Sequence, residues 1–256
     1  GESREIAQVI NEHYLPRFSG DELPRSSAGA LVSIADKMDT IVGCFAVGLL
    51  PTGSQDPYAL RRQCLGVIQI ILQKGLNLPL QELLKQTGAG YGQIDAIVME
   101  KVHDFFLARM KGILADEGIR HDIIDAVLAV EKNHLPQIMG RAQAINQVLD
   151  QASFQQLLVA CHRVSNLAMK ATSGKVDPAL FQEPQETTLF ANYEQLKGQV
   201  EKSLLGEDYT GAMETLSGLV DSINQFFEKV LVMSEDQLVK ENRLALLRSI
   251  NELFNG

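Results

Sequence analysis

The chain has few cysteines, few histidines and no tryptophan, and their spacing argues against several kinds of site. Its three cysteines, Cys44, Cys64 and Cys161, lie far apart in apolar stretches with no metal-ligand spacing, which predicts reduced, buried thiols. Its five histidines form no i, i+4 pair and no H-E-x-x-H motif. Because zinc hydrolases draw two ligands from that spacing, a zinc enzyme has almost no support.

Motifs for nucleophilic catalysis and for phosphate binding are also missing. There is no G-x-S-x-G motif, and the sequence gives no ground for pairing a cysteine nucleophile with a histidine base. Ser54 likewise has no general base that the sequence places beside it. The glycine-rich segment 87–92, TGAGYG, has no Gly-Lys-Ser/Thr after it and no strand before it, so it predicts a connector. No charge-free apolar run of about 18 residues occurs, so no membrane contact is expected.

An excess of basic residues is absent as well. Lys and Arg together number 23 and Asp and Glu 32, for a formal net charge of -9. A uniformly basic nucleic-acid binder is not indicated, and any RNA contact has to come from a local patch. Hydrophobic residues make up 45% of the 256 residues, enough for one large domain or two ordinary ones.

Helical periodicity runs along nearly the whole chain, and no strand-like alternation exceeds about five residues. We therefore predict an all-α protein with two domains, residues 1–140 and 141–256, the second a helical bundle. The segment 172–185 is the longest irregular stretch. The helices are predicted at 31–47, 58–75, 78–86, 93–115, 119–131, 137–150, 153–171, 186–205, 208–231 and 235–254. Gly75 is expected to end the second of them. The apolar stripe of the first helix is predicted to consist of Leu31, Ile34, Ala35, Met38, Ile41, Val42 and Phe45, and the inward residues of the second are predicted to be Leu60, Cys64, Val67, Ile68 and Ile71.

The segment 50–62, LPTGSQDPYALRR, predicts a turn between two helices. Pro51 is expected to end the first helix, Asp56 to cap the second, and Pro57 to occupy its first turn. A phosphate at that helix start is disfavoured because Asp56 would repel it. Arg61 and Arg62 follow one turn later, where one is expected to pair with Asp56 or Asp39 and the other to face solvent or RNA.

In the second half, Arg163, Asn166 and Lys170 are spaced to share one face of the predicted helix 153–171, and Lys175 follows in the loop. Such a polar stripe is most often only a solvated face. It is also an arrangement that can contact phosphates and unstacked bases of single-stranded RNA. Farther on, one ring of the Phe226–Phe227 pair is expected in the core, and the other is expected to pack on a neighbouring domain.

A carboxylate pair in the first half suggests a metal site. Asp36 and Asp39 are three residues apart and share a helix face. Together with INEHY at 10–14, they resemble the later part of an HD-domain fold, in which a late Asp completes a metal site. Asp36 matches that ligand, but the chain has no His-Asp pair to supply the others. The alternative is that Asp36 hydrogen-bonds a neighbouring helix end or loop.

Three long stretches carry a more specific resemblance. They contain the runs DELP, ADKMDT, PTGSQDPYALRR and NRLALL, and lie at 12–24, 35–72 and 226–254. In this order they resemble the C-terminal part of bacterial glycyl-tRNA synthetase beta subunits. The resemblance implies an HD-like helical region followed by a DALR-type anticodon-binding bundle. It also implies a fragment of a longer subunit, which agrees with the absence of an initiator Met before Gly1.

The resemblance further implies a function and partners. In that family an alpha2–beta2 enzyme in the cytoplasm joins glycine to tRNA(Gly) with ATP and Mg²⁺, the alpha subunit holding most of the aminoacylation site. This chain is then expected to bind tRNA and to have no catalytic residue or cofactor of its own. An HD-type metal-dependent phosphohydrolase fragment and a structural scaffold for the alpha subunit remain alternatives.

Overall fold

The computed structural model describes residues 1–92, 94–172 and 175–255. Within those ranges every regular element is helical, and an isolated bridge between Thr52 and Gln55 is the sole extended pairing. The predicted all-α class is therefore confirmed. The helices are α1 (Arg4–Glu12), α2 (Ser27–Ala46), α3 (Leu60–Lys74), α4 (Leu80–Ala89), α5 (Ala96–Asp116), α6 (His121–Val130), α7 (Leu135–Val148), α8 (Ala152–Ala168), α9 (Pro184–Leu205), α10 (Tyr209–Ser217), α11 (Val220–Lys229) and α12 (Gln237–Asn255), with a 3₁₀ turn at Pro178–Leu180.

The chain forms two compact units, Gly1–Gln143 and Ala144–Gly256. In the first, α2 packs against α1, α3, α4 and α5, and α3 packs against α5. The side chains predicted to point inward from α3 are all buried, because they repeat at helical spacing on one face. They are Leu60, Cys64, Val67, Ile68 and Ile71.

The apolar stripe predicted on α2 is only partly correct. Ile34, Met38, Ile41, Val42 and Phe45 are buried as expected. Leu31 and Ala35, in contrast, are exposed, Leu31 by 51%. Periodicity identifies the inward direction, but neighbouring helices decide how wide the covered stripe becomes.

The predicted turn at 50–62 needs two corrections. α2 ends at Ala46, followed by Gly48 at φ 78, so Pro51 does not terminate it. α3 begins at Leu60, so Pro57 lies outside its first turn. The capping prediction holds, because the two carboxylate oxygens of Asp56 accept hydrogen bonds from the amides of Leu60 (2.8 Å) and Arg61 (3.0 Å).

Residues 13–26, which we call the strap, connect α1 to α2 and are held by buried polar groups. Lys37 Nζ donates hydrogen bonds to the carbonyls of His13 (3.2 Å) and Leu15 (3.0 Å) and to Ser33 Oγ (2.8 Å). At the other end, Glu12 accepts hydrogen bonds from the amide and hydroxyl of Ser26, the N-cap of α2. These bonds satisfy strap backbone groups that no helix or sheet ladder can satisfy.

In the second unit α8 packs on α12, and α9 packs on α10 and α11. A single helix predicted over 208–231 is wrong, because α10 ends at Ser217 and α11 begins at Val220. The amides of Gly218 and Leu219 bond the carbonyls three residues earlier, so the chain tightens by one 3₁₀ turn at the break.

The cysteines fit their predicted environment in part. Cys64 is fully buried, whereas Cys44 and Cys161 are partly exposed. Burial raises the pKa of Cys44, and it raises the pKa of Cys161 to about 12, so these thiols stay protonated near neutral pH. None of the helices in the described ranges combines the length and apolar character needed to cross a bilayer.

Candidate nucleic-acid interface

The most defined basic side chain on α8 is Arg163, which is held by two residues of α11. Its Nη1 donates a hydrogen bond to Asn224 Oδ1 at 2.9 Å, and its guanidinium carbon lies 4.5 Å from the centre of the Phe227 ring. Phe227 in turn meets the buried Phe226 edge to face at 5.6 Å. These contacts fix the guanidinium of the half-buried Arg163 beside the ring of Phe227.

The other residues predicted for this stripe lie differently. Asn166 is exposed one turn after Arg163 on α8. The predicted helix to residue 171 is too long, since α8 ends at Ala168, and Lys170 lies in the turn that follows. Its amide donates to the carbonyl of Leu167 at 2.9 Å. Lys175 is exposed in the irregular segment, and both lysines are accessible to a ligand.

The helix that carries Arg163 is anchored on its other side by α12. Ser165 Oγ donates a hydrogen bond to Asn251 Oδ1 at 2.5 Å, while Phe154, Leu157 and Val164 are buried in the core of this unit. Because α8 is held on both flanks, the position of Arg163 relative to α11 is determined by packing rather than by a mobile loop.

The NRLALL run has a structural role. Asn242 accepts a hydrogen bond from the amide of Asp177 at 2.7 Å and donates one to its carbonyl at 2.9 Å. Arg243 forms a buried, two-bond ion pair with Glu186 at 2.9 and 3.0 Å and donates to the carbonyl of Leu231. Together they fix the segment before α9 to α12 next to Lys175.

Glu186 is ionised within this pair. Burial opposes its ionisation, but hydrogen bonds from Arg243 and from the amides of Glu183 and Gln182 outweigh burial and hold the pKa of Glu186 below its ordinary value. The same carboxylate completes the capping box of α9. The pair therefore joins two helices and caps one of them.

Arg61 and Arg62 lie in the first unit, at the start of α3. The predicted pairing with Asp56 or Asp39 is wrong, since Arg62 Nη1 donates instead to the carbonyl of Arg17 at 3.2 Å. The Arg61 side chain donates no hydrogen bond to a described residue and forms no ion pair with one. The two oxygens of Asp56 accept the backbone amides of Leu60 and Arg61. Both arginines line a groove of about 350 Å³.

The candidate metal ligand Asp36 is exposed on α2. Its side chain makes no hydrogen bond with any described residue, so the alternative that it bonds a neighbouring helix end is wrong. Over residues 1–92, 94–172 and 175–255, no three His, Cys, Asp or Glu side chains converge as a metal-ligand set. Among the residues that the structure describes, Asp36 therefore has no partners with which to bind a metal.

Sequence reasoning missed the partners that shape both arginine sites. Asn224 and Phe227 were not linked to Arg163, because packing between distant segments brings them together. Phe18 was not placed in one groove with Arg61, because the two lie on segments more than forty residues apart. The adjacent phenylalanines at 226 and 227 were the one signal, since a helix cannot bury two consecutive rings on the same face.

Two family models match this chain. The model described as "Glycyl-tRNA synthetase beta subunit" matches residues 1–129, and the one described as "DALR anticodon binding domain" matches residues 157–256. Arg61 and Arg62 lie in the first match. Arg163, its partners on α11 and both lysines lie in the second.

Curated relatives agree over nearly the whole chain. The glycine–tRNA ligase beta subunit of Halalkalibacterium halodurans is 42% identical over 256 residues, covering 97% of this chain and 37% of the relative. The beta subunit of Syntrophomonas wolfei is 41% identical, and the match covers 100% of this chain and 38% of the relative. The beta subunit of Clostridioides difficile is 40% identical, and the match covers 98% of this chain and 37% of the relative. The chain thus spans just over a third of the length of these relatives.

Proposed function

Since this chain belongs to the glycyl-tRNA synthetase beta subunit family, we propose that it binds tRNA(Gly) through its second unit and contacts the anticodon region. One observation carries the proposal. The part of the chain that matches an anticodon-binding domain holds a guanidinium fixed between Asn224 and Phe227 on a helix with further exposed polar side chains.

The chemistry of this surface suits unpaired RNA. Arg163 offers a planar, permanently charged group that can stack on a base or bond a phosphate, and Asn166 offers an amide donor and acceptor for a base edge. Lys170 and Lys175 add exposed positive charges suited to phosphates. We call these four residues the α8 surface.

The acidic composition is compatible with this role. The chain carries a formal charge of -9, so attraction to RNA must come from the α8 surface and not from the whole chain. Affinity is then expected to depend on a few contacts and to decrease as salt rises.

For the longer enzyme we propose the glycine–tRNA ligase reaction, with ATP and Mg²⁺ as cofactors, an alpha subunit as partner in an alpha2–beta2 assembly, and a cytoplasmic location. In that family the alpha subunit is expected to hold most of the aminoacylation site, and within the described ranges no three His, Cys, Asp or Glu side chains converge as a metal-ligand set. We therefore place the ATP and Mg²⁺ site outside this chain, whose own part is to bind and orient tRNA.

The alternatives are less well supported. A phosphohydrolase of the HD type requires ligands around Asp36 that the described residues do not supply. A scaffold for the alpha subunit is compatible with tRNA binding, and co-purification of this chain with the alpha subunit in the absence of tRNA would support that additional role.

A footprint of tRNA(Gly) with and without the chain tests the proposal. Protection of the anticodon stem and loop at low salt is expected, with little protection of the same region in a tRNA of unrelated anticodon. Protection confined to other parts of the tRNA would contradict anticodon contact. Absence of binding at low salt would contradict the proposed function itself.

A further inference from the structure

The groove at the start of α3 has a lining suited to RNA, in a unit separate from the α8 surface. It is formed by the strap on one side and α3 on the other, and we call it the Arg61 groove. Its lining includes Phe18, Ser19, Asp56, Arg61, Arg62 and Gln69.

Arg61 is the uncompensated charge in this groove. Its side chain is half-buried, yet no described residue accepts a hydrogen bond from it or forms an ion pair with it. A guanidinium has five N–H donors and no acceptor capacity, so the donors of Arg61 are open to an acceptor on a bound ligand. Arg61, Leu65 and Gln69 follow at i, i+4 and i+8 along one side of α3, which directs the groove along the helix.

Arg62 supplies a second positive charge in a fixed position. One of its N–H groups bonds the Arg17 carbonyl at 3.2 Å, which ties the side chain to the strap and leaves its other donors for a ligand. Arg17 itself is neutralised by Asp21, at 2.9 Å. The strap therefore positions Arg62 without cancelling its charge.

Asp56 is the negative charge in the lining, and it is already engaged. Its oxygens accept the amides of Leu60 and Arg61 at 2.8 and 3.0 Å, so its charge is opposed by the start of α3. It excludes an anion from those amides. The lining carries two positive charges, from Arg61 and Arg62, and one negative charge, from Asp56, so the rest of the groove is positive.

Phe18 indicates which kind of phosphate the groove takes. Phe18 is 55% exposed at the edge of the groove. The guanidinium carbon of Arg17 lies 5.8 Å from the centre of its ring, so a base that stacks on Phe18 also lies beside that arginine. Arginines beside an exposed aromatic ring are the combination by which proteins hold single-stranded nucleic acid. We propose that the Arg61 groove binds a backbone phosphate of an unpaired RNA nucleotide, whose base stacks on Phe18.

This inference rests on the proposed function to the extent that the chain binds RNA, but it concerns a different unit and different residues. The test uses the whole chain and measures the affinity for tRNA(Gly) as salt is varied. Arg61→Ala should lower affinity about three- to tenfold at low salt and reduce the salt slope by about one ion. Arg4→Ala, which removes the same charge from an exposed site outside the groove, should leave both unchanged.

Hydrogen exchange then locates the contact. Binding of tRNA should protect amides at 17–19 and 59–65 in the unaltered chain and not in the Arg61→Ala variant, with matching circular dichroism for both. Phe18→Leu should weaken binding of a short single-stranded RNA and leave binding of an RNA duplex unchanged.

The outcomes separate this inference from the proposed function. If Arg163→Ala weakens tRNA binding while Arg61→Ala changes neither affinity nor salt slope, the proposed RNA contact in the Arg61 groove is overturned. The proposed RNA contact of the α8 surface is then retained. If tRNA does not bind, exchange is repeated with the short single-stranded RNA, and lack of protection overturns the groove. Protection by inorganic phosphate but not by RNA overturns the assignment to an RNA backbone.

Discussion

Arg163 on α8 lies with its guanidinium carbon 4.5 Å from the ring centre of Phe227 on α11. The contact joins two helices that the chain separates by more than fifty residues, and the hydrogen bond to Asn224 at 2.9 Å fixes the plane of the guanidinium. An arginine held this way keeps little rotamer freedom, so it loses little conformational entropy when it binds a ligand.

The first prediction concerns this arginine. Arg163→Ala should weaken tRNA(Gly) binding by about tenfold or more, because it removes a charge and a stacking surface together. Arg163→Lys should recover only part of the affinity, since an ammonium cannot stack as a planar group. Filter binding at several salt concentrations measures both.

A matched control is Arg248→Ala, which removes an exposed arginine from α12 of the same unit, where it pairs with Glu252 at 3.0 Å. Its effect on tRNA affinity should be within the error of the measurement. Equal losses in the Arg163 and Arg248 variants would mean that net charge and not the α8 surface governs binding.

The second prediction concerns the buried ion pair of Arg243 and Glu186. Arg243→Met should lower the local free energy of unfolding by about 3–5 kcal/mol, because it leaves a buried carboxylate without its charged partner. Native-state hydrogen exchange of α9 and α12 amides measures this loss.

The exposed pair Arg248–Glu252 provides the comparison for that experiment, since Arg248→Met should cost no more than about 0.5 kcal/mol. A small effect of Arg243→Met on exchange in α9 would show that water or a rearranged side chain replaces the pair.

The third prediction is a pH dependence at the start of α2. Hydrogen bonds from Gln8 and Ser26 lower the pKa of Glu12 from 4.5 to about 2. Because the folded value is the lower one, these bonds stabilise the fold above the unfolded pKa, and the stability is lost as pH falls from about 5 toward 2. Thermal unfolding of the chain and of Glu12→Gln at several pH values should show a difference that shrinks over that window. A difference independent of pH would exclude an ionised Glu12.

The fourth prediction concerns the strap. Lys37→Met should make trypsin cleave the strap faster, after Arg17 and Arg25. The reason is that the carbonyls of His13 and Leu15 and the hydroxyl of Ser33 lose the donor of their hydrogen bonds. Lys85→Met, at an exposed site on α4, should leave the cleavage rate unchanged. Cleavage at unchanged rates in both variants would mean that other contacts hold the strap.

Sequence reasoning succeeded for some local properties, although the helix-end roles predicted for Pro51 and Pro57 were wrong. The inward residues of α3, the capping role of Asp56 and the helix stop at Gly75 were all predicted and confirmed, because each depends on residues within a few positions. It failed at the ends of α8 and at the break between α10 and α11, where propensity is similar on both sides of the boundary.

The residues of the candidate interface were harder to predict from the sequence than the fold. Helical spacing selected Arg163 and Asn166, and charge selected Lys170 and Lys175; their contact with RNA stays a prediction, as does that of Arg61 and Arg62. The spacing carried no information on which arginine is held by a distant ring and which has no acceptor in the described chain, because those partners come from other elements.

The sequence by itself determined the all-helical class, the inward face of α3 and, through its motifs, membership of the family. Those follow from periodicity and from residue runs, which are one-dimensional properties. Tertiary structure alone decided that the NRLALL run holds α9 through Glu186, and that Phe227 and Asn224 hold Arg163. The physical reason is that hydrogen bonds and ring contacts require atoms within a few ångströms, and packing brings together residues that lie tens of positions apart.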